Sequence, residues 1–170
     1  MRRSLRFALL LVMALAATAA LKLSAAAPSP AVQLSAANAG PRPVEDATEK
    51  AIVRDYGAAW SNLAAALGEN RADLLDGAFV GFARDQFRQA IAAQQKSGLR
   101  TRYLDRGHKL KALFYDPAGT SMQLRDTAEL EMQVLDGDRV LYSQPFTAHY
   151  IVLMTPASDR WQVRLLQETP

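Results

Sequence analysis

The residue with the clearest chemical potential is Asp126. Met122, Leu124, Ala128, Leu130, Met132 and Val134 occupy one side of an alternating run, and Gln123, Arg125, Thr127, Glu129, Glu131 and Gln133 occupy the other. Asp126 falls on the apolar side. A carboxylate in that register must be paired, stand at a cavity mouth, or be displaced by a bulge, because an isolated buried charge is too costly. Three readings follow: a general base or ligand anchor, a bulge at Arg125-Asp126, or a buried ion pair.

The two histidines say less. His149 shares a register with Thr147 and is placed to join Glu129, Glu131 or Arg164 in a polar network on the outer sheet face. His108 follows Gly107 and reads as a solvated strand start rather than an acid or base. Tyr56, Trp60, Phe87 and Trp161 fall at packing periods and read as core. There is no cysteine, which excludes a disulfide framework, a thiol nucleophile and thiolate metal sites. Neither histidine has ligand spacing, so no metal and no cofactor are expected.

The elements that must position these residues change character at Gly98. Before it, Val44, Ile52, Tyr56, Ala59, Trp60, Leu63 and Leu67 recur at helical intervals, with Gly68 at the expected C-cap. A short second helix is expected from Asn70 through Phe79, and a third from about Arg84 to Ser97. After Gly98 the period is two, and strands are expected over Lys109 to Tyr115, Met122 to Leu135, Arg139 to Met154 and Arg160 to Glu168. Asp136-Gly137 signals a tight hairpin, and Pro145 marks a bulge, bend or edge. Helices followed by strands indicate an α+β fold with an antiparallel sheet.

Charge is segregated along the chain. Eight basic residues lie between Arg84 and Lys111, against Asp85 and Asp105, and six acidic residues lie between Asp116 and Asp138, against Arg125. The basic stretch either faces anionic headgroups or an acidic partner, or is a solvated face whose charges pair with the acidic strands. The formal net charge of +3 comes from the N-terminus, where five basic residues precede Val44 without an acidic one. The remainder is net acidic, which argues against nucleic-acid binding.

That N-terminus reads as an export signal. Met1-Arg2-Arg3-Ser4-Leu5-Arg6 is followed by an apolar run from Phe7 to Leu21, and Ser24-Ala25-Ala26 supplies a site for cleavage before Ala27. The run is short for a membrane span, which favours cleavage; with Lys22 snorkelling, it extends to Ala27 as an uncleaved anchor. Residues 1–27 are thus expected as signal or anchor, 28–43 as an Ala/Ser/Pro-rich spacer, and 44–170 as one domain in the periplasm or outside the cell.

The element order, Trp60 on the first helix and Trp161-Gln162-Val163 on the last strand together resemble the nuclear-transport-factor-like, or SnoaL-like, cone fold. The stretch from Gln95 to Tyr103, with Asp126-Thr127-Ala128-Glu129-Leu130, looks similar to the intermembrane-space domains of plastid-division and import-motor proteins. The resemblance implies three helices on a strongly curved, cystatin-like sheet that curls around a pocket, with Tyr103, Asp126, Tyr150 and Trp161 as ligand-binding candidates. It implies a binding or scaffold domain for a protein partner or small apolar ligand, with a homodimer through the outer sheet face as a further expectation. The alternative is an isomerase- or hydrolase-like enzyme in which Asp126 is the general base, with a hydrogen bond from Tyr103 or Tyr150.

Overall fold

The computed structural model describes residues 31–37 and 39–170; the expected leader, residues 1–27, lies outside them. The elements run β1 (Val32–Ser35), β2 (Gly40–Pro41), α1 (Asp46–Glu69), a 3-10 turn (Ala72–Leu75), α2 (Gly81–Ser97), β3 (Leu99–Tyr115), β4 (Met122–Asp136), β5 (Arg139–Pro156) and β6 (Trp161–Thr169). All six strands form one sheet in the order β1-β3-β4-β5-β6, with β2 also on β3.

Three expectations need correction. Instead of three helices, the described residues hold two and a single 3-10 turn, since the segment after Asn70 has room for only Leu74 and Leu75 before Gly77 turns it. α1 continues through Gly68, and the left-handed cap is Asn70, at φ 55°. The sheet is mixed: β1 and β2 run parallel to β3, Val32 pairing with His108 and Gly40 with Phe114. Part of the expected spacer therefore belongs to the folded body. Its alternation of Val32 and Leu34 with polar neighbours supplies one short, half-buried strand, which the Ala/Ser/Pro composition masked.

β3 begins ten residues earlier than expected, because Arg100, Arg102 and Arg106 disguise its period. Basic residues of β3 meet acids on β4 and its hairpin loop: Arg106 bonds Glu131, Lys109 lies 3.6 Å from Glu129, and Arg100 lies 3.4 Å from Asp138. The charge segregation along the chain is thus partly cancelled across the β3–β4 ladder.

Irregularities in the ladders decide which residues face inward. The two-residue loop is Gly137-Asp138, closed by Asp136 and Arg139, one position later than the sequence suggests, and the unpaired Leu141 absorbs the offset. Gly137 has φ 58°, as a tight hairpin turn requires. A second bulge, at Arg164, brings Leu166 rather than Leu165 to the buried side of β6. Pro145 lies where β5 is an edge, since β6 pairs only from His149 onward.

The core lies between α1 and the inner sheet face. Ile52, Tyr56, Ala59, Trp60 and Leu63 pack against Met122, Leu124, Ala128, Leu130, Val152, Met154 and Trp161, with Phe79 and Phe87 closing one side. Asp55, also on α1, is buried and accepts the Trp161 backbone N–H at 2.7 Å while Arg54 holds its other oxygen at 2.7 Å. This bond ties the helix to the start of β6. Replacing Asp55 with Ala strands that N–H and is expected to lower the unfolding free energy by about 2 kcal/mol, measurable as a reduced urea midpoint with unchanged slope.

Candidate functional site

Asp126 sits in the middle of β4 and is fully buried. Its Oδ2 accepts two hydrogen bonds, from the Tyr56 hydroxyl at 2.7 Å and from His108 Nδ1 at 2.7 Å. The other imidazole nitrogen, Nε2, donates to Asp105 Oδ2 at 2.8 Å. Asp126 is therefore held in a buried ion pair, with no bulge at Arg125-Asp126. Tyr56 fills the place expected for Tyr103 or Tyr150.

His108 departs most from expectation. It is 2% exposed rather than a solvated strand start. Asp105 and His108 are three apart and would point to opposite faces of a regular strand. They share the inner face because Arg106 is bulged out: Asp105 pairs with Leu130, Gly107 with Glu129 and His108 with Ala128. The bulge needs Gly107, whose φ is 145° and whose position leaves only 3.2 Å between an added Cβ and the Ala31 carbonyl oxygen. The same carbonyl accepts the His108 N–H at 2.9 Å, so β1 braces the bulge. Gly107 beside His108 was the available sequence signal.

Burial works against a charged imidazole here, but the hydrogen bonds and charges of Asp105 and Asp126 outweigh it and raise the His108 pKa to about 9. The ring is then protonated on both nitrogens, and each proton is engaged by a carboxylate. Trp60 lies over it with centroids 4.7 Å apart, and Tyr56 meets it edge-on at 5.3 Å. Burial, followed by the Asp126 charge, pushes the Tyr56 hydroxyl well above its usual range.

The open space lies on the other side of this aromatic wall. A recess of about 170 Å³ is lined by Trp60, Phe87, Tyr103, Tyr150, Leu166 and Glu168, and an adjoining hollow of about 310 Å³ shares Tyr103, Tyr150 and Glu168 with it. Neither is lined by Asp126 or His108. A larger hollow of about 380 Å³ is formed by one exposed face of α1, around Lys50 and Arg54, and reaches none of these groups.

Of the four sequence candidates, Tyr103 and Tyr150 meet at the recess, Asp126 lies sealed behind it, and Trp161 is elsewhere, packed against Tyr115 at 6.2 Å. Glu168 completes the recess and was not anticipated, because only strand register brings the chain terminus there. His149 is exposed and makes a 3.3 Å contact with Thr127 on the outer face.

His108 gains a raised pKa on folding. The stability it contributes is thus complete below about pH 6.5 and is lost as pH rises through about 9. Unfolding followed by denaturant between pH 6 and 9.5 should show a loss of up to about 3 kcal/mol, and His108→Gln should flatten that slope. Gly107→Ala, by straining the bulge, should cost about 1–3 kcal/mol at every pH.

No protein-family model matches the sequence, and no curated protein is detectably similar to it. Solved structures are similar in fold. The intermembrane-space region of the chloroplast protein ARC6 superposes with a TM-score of 0.61 at 15% identity, covering 75% of this chain and 98% of that one. A protein of the NTF2-like family from Streptomyces avermitilis gives 0.48 at 10% identity, over 71% of this chain and 97% of that one. One with a cystatin-like fold from Nostoc punctiforme gives 0.40 at 12%, over 75% and 95%. The chain folds as an α+β domain similar in shape to the ARC6 intermembrane-space region.

Proposed function

We propose that this chain is an extracytoplasmic, non-enzymatic binding domain that engages its ligand at the aromatic recess. One observation carries the reading: the Asp126–His108 pair is sealed behind Trp60 and Tyr150, and both imidazole nitrogens are occupied by carboxylates. A general base needs hydrogen-bond reach to the proton it removes. The competing isomerase- or hydrolase-like reading requires Asp126 to meet a substrate in a cavity that it does not line. Export is inferred from the basic and apolar N-terminal sequence.

Asp126→Asn separates the two readings. As a structural partner, Asp126 when neutralised should leave Asp105 as the one carboxylate on His108 and weaken the bonds at Nδ1 and at the Tyr56 hydroxyl, costing about 2–4 kcal/mol and lowering the melting temperature. An unchanged melting temperature would defeat the structural role. Fractionation of cells expressing the full chain should place it outside the cytoplasm.

The β5 edge favours a second surface, for a second copy of the chain. Among the described residues, the stretch Arg139 to Ala148 pairs with β4 alone, and Val140, Leu141 and Tyr142 are exposed. The uncharged run Val140 to Phe146 can meet its own copy antiparallel without opposing like charges. The outer sheet face, carrying Arg125, Glu129 and His149, is less suited. Sedimentation should show a dimer that Leu141→Lys dissociates; a wild-type monomer at high concentration removes this reading.

A further inference from the structure

We propose that the recess binds a small organic cation with an alkylated ammonium head, such as a trimethylammonium group. This rests on the recess being the ligand site and names the ligand chemistry that the site fits.

The walls are aromatic. Trp60, Tyr103 and Tyr150 converge, with ring centroids 6.5 Å apart for Trp60–Tyr103 and 5.7 Å for Trp60–Tyr150, and Phe87 closes another side. Aromatic faces attract cations through their quadrupoles, most strongly where water is excluded. They have no lone pairs suited to a metal ion, and they poorly replace the hydration shell of a primary ammonium, which has three protons to satisfy. An alkylated ammonium carries its charge on a weakly hydrated apolar surface. A volume of about 170 Å³ equals that of about five or six waters, room for such a head, and the adjoining hollow gives a tail somewhere to lie.

The electrostatics have the matching sign. Strand register places Asp126, Tyr150 and Glu168 in one cross-strand row, Asp126 opposite Tyr150 and Tyr150 opposite Glu168. Tyr150 thus stands between two carboxylates. Behind it, Asp105 and Asp126 together outweigh the single His108 charge. In front, Glu168 has no ion-pair or hydrogen-bond partner among the described residues, whereas Glu45, Glu131, Asp136 and Asp159 all have an arginine. Gln86 and Gln144 are the other polar side chains at the two hollows, and both are neutral. The site therefore pairs a cation-attracting wall with an uncompensated anion.

Calorimetric titration of the full chain with choline, and with its neutral isostere 3,3-dimethyl-1-butanol, tests the proposal. Choline should bind in the millimolar range or better, at least about tenfold more tightly than the isostere. Glu168→Gln, at an exposed position, should weaken choline several-fold without changing the melting temperature, while Tyr103→Phe should retain binding and Tyr103→Leu should lose it. Equal binding of the alcohol overturns the cation assignment but leaves the recess as a ligand site. Binding of choline that Glu168→Gln leaves unchanged overturns the electrostatic assignment. Absence of binding by either compound at about 50 mM overturns the proposal and removes the recess from the proposed function as well.

Discussion

The domain is organised around a buried charge that the sheet cannot hold alone. Asp126 has been taken from water into the centre of β4, and its compensation comes from two directions: the imidazolium of His108 on the neighbouring strand and the hydroxyl of Tyr56 on the helix above. Because the helix supplies one of these donors, α1 must pack in one rotational setting and at one height. Trp60, one turn along, is thereby laid over His108 and becomes the wall of the recess. The apolar contacts around it supply most of the driving force for burial; the polar chain fixes where on the sheet that burial happens.

This arrangement separates chemistry from access. A carboxylate and an imidazole at 2.7 Å inside the core invite an acid/base reading, yet an imidazole with both protons engaged by carboxylates has no free nitrogen to offer. The groups that do reach open space are phenols, an indole and a terminal-strand carboxylate. Tyr150 is pushed above its ordinary range by burial and then by neighbouring phenol and carboxylate groups, and Tyr103 by burial and the Glu168 charge, so both remain neutral donors and quadrupoles at any physiological pH.

Much of the fold was legible because its signals are local. The 3.6-residue period of α1 and the alternation of β4 located the core, and the misplaced acid at 126 located the polar chain. The parts that were not legible are those set by bulges and pairing partners. Gly107 is the single local hint that Arg106 is skipped, and it does not say which neighbour bulges or which face the flanking residues take, so a reading of the strand alone leaves His108 in solvent and Asp105 without a role. Nothing near Glu168 says that the second-last strand residue will stand beside Tyr150. Val32 to Ser35 is only four residues long, and its role depends on a partner strand more than seventy positions away.

The skipped residue at Arg106 also ties two sites to a single decision made during folding. If β3 paired with β4 as an unbroken ladder, every side chain from Leu99 to Asp105 would turn over. Asp105 would leave His108, and Tyr103 would leave the recess, in the same event. The buried polar chain and the aromatic wall therefore share one point of failure, and a sheet paired in the wrong register keeps neither.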